Sequence, residues 1–355
     1  MLFALTILAC NIASTKSTTD SSSDIVTDSE DTGDLEPYIY TLPDLDVCDD
    51  VQETQYGFLC AIQPSRLDDE ARDQYDDSSL VNRTLGFGYD VVAFPKPTQE
   101  INGVYAHFTG SMGRAYNQNN GQFPSTTILN EAMQSGFITI QIAYHNRYSV
   151  NSIEECFGST QVDNCAGDVR REKITGENLT EVVEVPISDS IVHRMYTVIE
   201  YLEQNAFTFP ISPVSNGTIN WSNFFIGGHS QGAGHALYIT KYWDSIHTCL
   251  FGGPFDVADT IPERPIENIA DWYLDNQSLI NIDKIRALLS VDDDNYDNFV
   301  HAYNLLNLEE GIHWQSFQAT EYTNIDGDSI SGHGAVVHDP DFAELRFETC
   351  FGNLN

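Results

Sequence analysis

The run Asn223-Phe224-Phe225-Ile226-Gly227-Gly228-His229-Ser230-Gln231-Gly232-Ala233-Gly234-His235-Ala236-Leu237 decides the fold. Its first five residues read as a short buried strand, and the residues from Ala233 onward read as the opening turns of a helix. Ser230 falls between them, on a strand-turn-helix junction flanked by Gly228 and Gly232. A turn this sharp strains the backbone at the serine, and the flanking glycines remove the Cβ atoms that would otherwise collide with it. The hydroxyl is thereby presented above the strand end. The N–H of Gln231, at the helix N-terminus, faces the same space, where negative charge on a tetrahedral intermediate is favoured. The plain alternative is a chance G-x-S-x-G in a glycine-rich turn, and the strand and helix on either side count against it.

A serine hydroxyl is a poor nucleophile until a base takes its proton, so a histidine and a carboxylate must come from elsewhere in the chain. In sheets of this kind they follow in the order Ser, Asp or Glu, His. After the strand-like run Ile285–Val291 come Asp292, Asp293 and Asp294. Asp294 ranks first as the acid, because it lies about one turn beyond the strand, where the chain can curve back; Asp293 and then Asp292 are the alternatives. A solvated acidic turn or a weak cation site is the bland reading of the three. An EF-hand loop is disfavoured, since its glycine position is Asp297. The base is expected at His333, between Gly332 and Gly334 in a loop that can reach a neighbouring strand end. His338 competes for that role but is better explained as a residue at a helix start before Asp339-Pro340, and His229 and His235 read as packing or hydrogen-bonding residues. Should all three aspartates fail, Asp256 is the next acid. The loop His107-Phe108-Thr109-Gly110-Ser111-Met112-Gly113 should supply the second oxyanion donor, from the N–H of Gly110 or Ser111. No histidine pair has the spacing of a zinc site, and neither a metal nor a cofactor is expected.

From Gly103 onward strand-like runs alternate with helix-like ones: Val104–Phe108, Phe137–Tyr144, Asn223–Gly227, Thr248–Gly252, Ile285–Val291 and Trp314–Glu321. Between the second and third, Ile191, Met195, Val198, Ile199 and Leu202 recur at helical spacing from about Ser188 to Gln204, with Ser188 or Asp189 as cap. This alternation predicts an α/β fold, a mostly parallel twisted sheet with helices on both faces. Residues 46 to 102 are expected to add preceding antiparallel strands.

With these parts the chain resembles the α/β-hydrolase superfamily, and within it a group of secreted bacterial hydrolases of unassigned substrate. The likeness runs from about Gly103 to the C-terminus, through the His107–Ser111 turn, the Cys156–Cys165 loop, the Asp189-Ser190-Ile191 helix start, the Gly228–Ala236 elbow, and His333 before Val336-Val337 and Asp339. The elbow with its helix is the specific part. The resemblance implies a serine hydrolase with Ser230 as nucleophile, His333 as base and an aspartate after the penultimate strand as the orienting acid.

Composition sets the surroundings. The 355 residues are 41% apolar, enough for a sizeable core, and carry a formal charge of −37. That charge argues against a nucleic-acid partner and predicts repulsion from anionic membranes. Met1 to Cys10 is an apolar run too short to span a bilayer, resembling the lipobox of bacterial lipoproteins; cleavage would leave Cys10 lipidated as an anchor, although the usual basic flank is missing. A mis-assigned start codon and a simple secretory leader are the alternatives. Residues 11–45 are Ser-, Thr- and acid-rich and read as a flexible tether, which leaves 46–355 as the hydrolase domain. Setting Cys10 aside leaves six of the seven cysteines, an even number that can pair in an oxidising space. Cys156 and Cys165 bracket a short loop; Cys48 with Cys60 follows from nearness and Cys249 with Cys350 from elimination, a buried free thiol at Cys249 remaining open.

The function expected is an exported, cofactor-free carboxylic ester hydrolase acting through an acyl-enzyme on a small-molecule or lipid-like ester. A peptidase or amidase with the same triad, and an inactive surface binding protein on the same fold, are the alternatives.

Overall fold

The computed structural model describes residues 40–73, 88–147, 149–150, 156, 164–205, 207–256, 269–275 and 281–352. Strands β1 (Asp50–Glu53), β2 (Gly57–Ile62), β3 (Asp90–Pro95), β4 (Gly103–Phe108) and β5 (Phe137–Gln141) come first, then a short hairpin of β6 (Val214–Ser215) and β7 (Thr218–Ile219). They are followed by β8 (Phe224–His229), β9 (His247–Phe251), β10 (Ile285–Ser290) and β11 (Trp314–Phe317). All but the hairpin form one sheet, in the order β1-β2-β3-β5-β4-β8-β9-β10-β11. Every pairing from β5 to β11 is parallel. β1, β2 and β3 join antiparallel, as expected for the segment before Gly103.

Side chains alternate across a strand, so a sheet covered on both sides must feed two cores. Along β4, Val104, Ala106 and Phe108 enter one core and Tyr105 the other; along β3, Val92 and Phe94 face one way and Val91 and Ala93 the other. The longer helices are α1 (Thr126–Gln134), α2 (Cys165–Thr175), α3 (Ile191–Gln204), α4 (Gln231–Trp243) and α5 (Tyr296–Leu305), with a shorter α6 (Gly332–His338). The stripe Ile191, Met195, Val198, Ile199 and Leu202 of α3 joins the first core, with Ala233, Ala236 and Leu237 of α4. Ile128, Leu129 and Met133 of α1 and Ala335, Val336 and Val337 of α6 close the second. Helices therefore cover both faces.

Element ends differ from expectation where side chains intervene. The run Phe137–Tyr144 leaves the ladder after Gln141, and the N–H of Ala143 turns to the buried Asp90 carboxylate at 2.8 Å. Burial pushes that carboxyl up to about 6. Helix α3 is capped by Ser190, whose Oγ accepts from the His193 N–H at 3.2 Å, and not by Ser188 or Asp189. Those two occupy a preceding 3₁₀ turn, where Asp189 is buried and held by Arg72.

Tyr40, Leu42 and Leu45 lie on the tether side of the expected boundary at 45, yet they pack against the core, and the Tyr40 hydroxyl donates to the Pro95 carbonyl at 2.9 Å. Core packing among the described residues thus includes Tyr40. Met1–Cys10 and residues 11–39 fall outside the described residues. No helix among the described residues is long and apolar enough to cross a membrane.

Three disulfides pair Cys48 with Cys60, Cys156 with Cys165 and Cys249 with Cys350. The last joins β9 to the C-terminal segment across 101 residues, whereas Cys156 and Cys165 are 9 apart. Cross-linking removes more freedom from the unfolded chain the longer the loop it closes, about 4.7 kcal/mol for a loop near 100 residues against about 3 kcal/mol or less for the short one. Replacing Cys249 and Cys350 together is therefore expected to lower the urea midpoint more than replacing Cys156 and Cys165. An equal or reversed order in equilibrium unfolding would show that strain, not loop closure, sets their contribution.

Candidate active site

The site forms where β4, β8, β9 and β10 end, the side of a parallel sheet at which ligands bind. Ser230 stands between the last residue of β8 and the first of α4, with φ 55° and ψ −116°. A non-glycine residue in this region is strained by roughly 1–3 kcal/mol and is held there only by its surroundings. Here the Ser230 N–H donates to the Phe251 carbonyl of β9 at 2.9 Å, fixing the turn to the neighbouring strand. Gly232 shows what the close approach demands, for a Cβ on it would strike the Phe108 carbonyl and lie 2.6 Å from the Thr109 oxygen. Gly232→Ala is expected to push α4 off β4, costing about 1–3 kcal/mol of stability and most of any turnover. A variant with wild-type melting and turnover would show that the junction tolerates the methyl group.

The N–H groups of Gln231, Gly110 and Ser111 donate to no backbone carbonyl among the described residues. The loop after β4 is braced from outside. Asn146 Nδ2 donates to Thr109 Oγ1, Gly110 O and Gly113 O at 3.1, 2.9 and 2.7 Å, its carbonyl accepts from Met112 N–H, and the Tyr144 hydroxyl donates to Thr109 O at 2.5 Å. Ser111 Oγ donates to Gln231 Oε1 at 3.2 Å, joining the two halves of the expected oxyanion hole.

His333 is brought to the end of β10 by α6. This is a correction: the histidine sits not in a loop but in the first turn of a short helix, which starts where Ser331 Oγ accepts the Gly334 N–H. A Cβ at Gly332 would lie 2.7 Å from Ser290 Oγ, so glycine there lets the helix abut the strand end. His333 Nδ1–H donates to Asp293 Oδ2 at 2.5 Å. Asp293 is buried, and its other oxygen accepts the Asn295 N–H at 2.9 Å. Asp294, the first choice from the sequence, is exposed and does not reach His333. Asp292 is committed elsewhere, accepting from Gln318 at 2.8 Å and from Tyr322 at 2.5 Å. The serine, aspartate and histidine thus converge in that chain order, at the end of a sheet of this topology. This is the α/β-hydrolase fold.

Asp256 is excluded as the acid of this hydrolase fold: it takes the Arg170 guanidinium in two bonds of 2.5 and 2.6 Å and the Trp272 indole N–H at 2.8 Å. Arg170 also donates to the Gln231 carbonyl at 3.1 Å, clamping the first turn of α4. His338 ends α6, just before Asp339 caps the 3₁₀ turn Pro340–Phe342, and burial lowers its imidazole below the usual range. His107 is buried beneath the site, its Nδ1 paired with the Tyr105 hydroxyl, and burial pulls it down to about 3. His235, within α4, is packed edge-on to Tyr144. Arg170, Asn146 and Tyr144 were not found from sequence; nothing local marks them. Two cavities, of about 150 and about 330 Å³, meet at Ser230 and His333, the smaller walled by Phe255, Phe299 and the Arg170–Asp256 pair, the larger by His107, His338 and Ser125.

No protein-family model matches the chain, and no curated protein matches it. Among solved structures it is similar to an S-formylglutathione hydrolase from Agrobacterium tumefaciens, at 11% identity over 76% of this chain and 89% of that one, with a TM-score of 0.41. It is also similar to an esterase structure from the fungus Rhizomucor miehei, at 12% identity, 90% and 92% coverage and a TM-score of 0.38. A third is the fluorophosphonate-binding serine hydrolase F of Staphylococcus aureus, at 12% identity, 74% and 90% coverage and a TM-score of 0.36. At these values the likenesses carry no weight of their own; the fold rests on the sheet order and on the junction at Ser230.

Proposed function

We propose that the protein is a serine hydrolase of carboxylic esters, acting through an acyl-enzyme with Ser230, His333 and Asp293. The observation that carries this reading is the His333–Asp293 hydrogen bond at a cavity shared with a strained Ser230. With Nδ1 occupied by Asp293, Nε2 is the atom left to take the Ser230 proton. Oγ then bonds to the ester carbon while the carbonyl pair moves onto oxygen, facing the N–H of Gln231 and that of Gly110 or Ser111. Collapse of that intermediate breaks the bond to the alcohol, which leaves with the proton from Nε2. Water repeats the sequence, giving up a proton to Nε2 and releasing the acid with Ser230 restored.

The test is labelling by a fluorophosphonate probe together with nitrophenol release from nitrophenyl esters of several chain lengths. Folded protein that neither takes the probe nor releases nitrophenol overturns the reading.

The same proposal places the protein outside the cytoplasm, with Cys10 as a lipidated first residue and the following acidic segment as tether. Three disulfides support export, since such bonds persist in oxidising compartments.

A further inference from the structure

His229 ends β8 and directly precedes the strained Ser230, and its side chain is half-buried. Its Nε2–H donates to the backbone carbonyl of His333 at 2.9 Å. The two imidazole rings lie against one another, their centres 4.7 Å apart at 42°. On its other side the ring meets the loop after β4: a Cβ at Gly110 would sit 3.0 Å from His229 Nδ1 and 3.2 Å from Ser230 Cβ. One side chain therefore touches the segments that carry the nucleophile, the base and the expected second oxyanion donor.

We infer that His229 is a positioning residue for the base: its hydrogen bond to the His333 carbonyl sets where the first turn of α6 lies relative to Ser230. This rests on the triad reading of the site. The bond to Asp293 fixes one edge of the His333 ring but leaves rotation about that contact open, and α6 is only seven residues long. A second tether on the His333 backbone, issuing from the residue beside the nucleophile, removes that freedom. Burial first, and then the neighbouring His333 and His338, keep the His229 imidazole well below its usual range, so it stays neutral and retains one N–H donor and one acceptor. A neutral ring also adds no charge against the imidazolium that His333 becomes in the reaction.

The experiment compares three proteins on two substrates, a nitrophenyl ester and an ethyl ester of the same acid. The phenolate leaves with little help, whereas the alkoxide must receive its proton from His333, so misplacing the base acts hardest on the ethyl ester. His229→Phe keeps the ring and removes the donor; it should lower kcat on the ethyl ester by about 10²-fold and on the nitrophenyl ester by much less, with KM little changed. His229→Gln, which returns an N–H at similar reach, should recover most of the loss. If the phenylalanine variant does not fold, His229→Met replaces it in the same comparison. Wild-type kcat in the donor-free variant, or equal losses on both esters with no rescue by glutamine, overturns the assignment. Fluorophosphonate labelling of the wild type is the control: its absence would instead overturn the triad reading.

Discussion

Ser230→Ala should lower kcat on any ester substrate by about 10⁴-fold or more and abolish fluorophosphonate labelling, while the protein stays folded. Removing the nucleophile of a triad leaves only the contribution of oxyanion donors and binding, which is far smaller than the whole. Alanine is accommodated at the same backbone angles at about the same cost as serine, and the turn's bond from the residue 230 N–H to Phe251 remains. Circular dichroism and thermal melting separate loss of chemistry from loss of fold. Turnover within tenfold of wild type in a folded variant would mean that some other group performs the attack.

The second large effect is expected at Asp293 and nowhere else in the acidic run. In Asp293→Asn the amide can present a donor to His333 Nδ1, favouring the tautomer whose Nε2 carries the proton and cannot accept that of Ser230. A substitution of this kind costs about 10⁴-fold in kcat in a related triad. Asp294→Asn should stay within about threefold of wild type, because an exposed carboxylate outside hydrogen-bond reach acts only through screened water. Steady-state kinetics on the two variants decides between the neighbours. Comparable losses in both, or a larger loss at Asp294, would return the acid to the position favoured by the sequence.

That one-residue difference shows where sequence reading ends. The strand, the cluster after it and its place before the histidine were all legible. Which aspartate turns inward was not, because it depends on the turn closed by the Asp293 N–H to the Ser290 carbonyl at 3.2 Å, which follows β10 by three residues and faces 293 to the site and 294 to water. Ser230 was legible because its strand, glycines and helix are contiguous and each constrains the next. The helix around His333 was not, for Gly332 and Gly334 are poor helix formers, and it is held by the Ser331 cap and by burial of Ala335, Val336 and Val337. Asn146 and Arg170 had no signal at all. Each acts on a segment 33 or more positions away, through contacts that only the closed fold creates.

The long disulfide bears on how the molecule is made. Chains are synthesised from the N-terminus, so Cys48 can find Cys60, and Cys156 can find Cys165, almost as soon as each pair emerges. Cys249 must wait for Cys350, and the intervening stretch carries both Asp293 and His333. Ser230 and the loop after β4 are therefore delivered well before Asp293 and His333, and β9 keeps an unpaired thiol meanwhile. Any machinery that assists this chain has to protect that thiol from its earlier neighbours until Cys350 arrives.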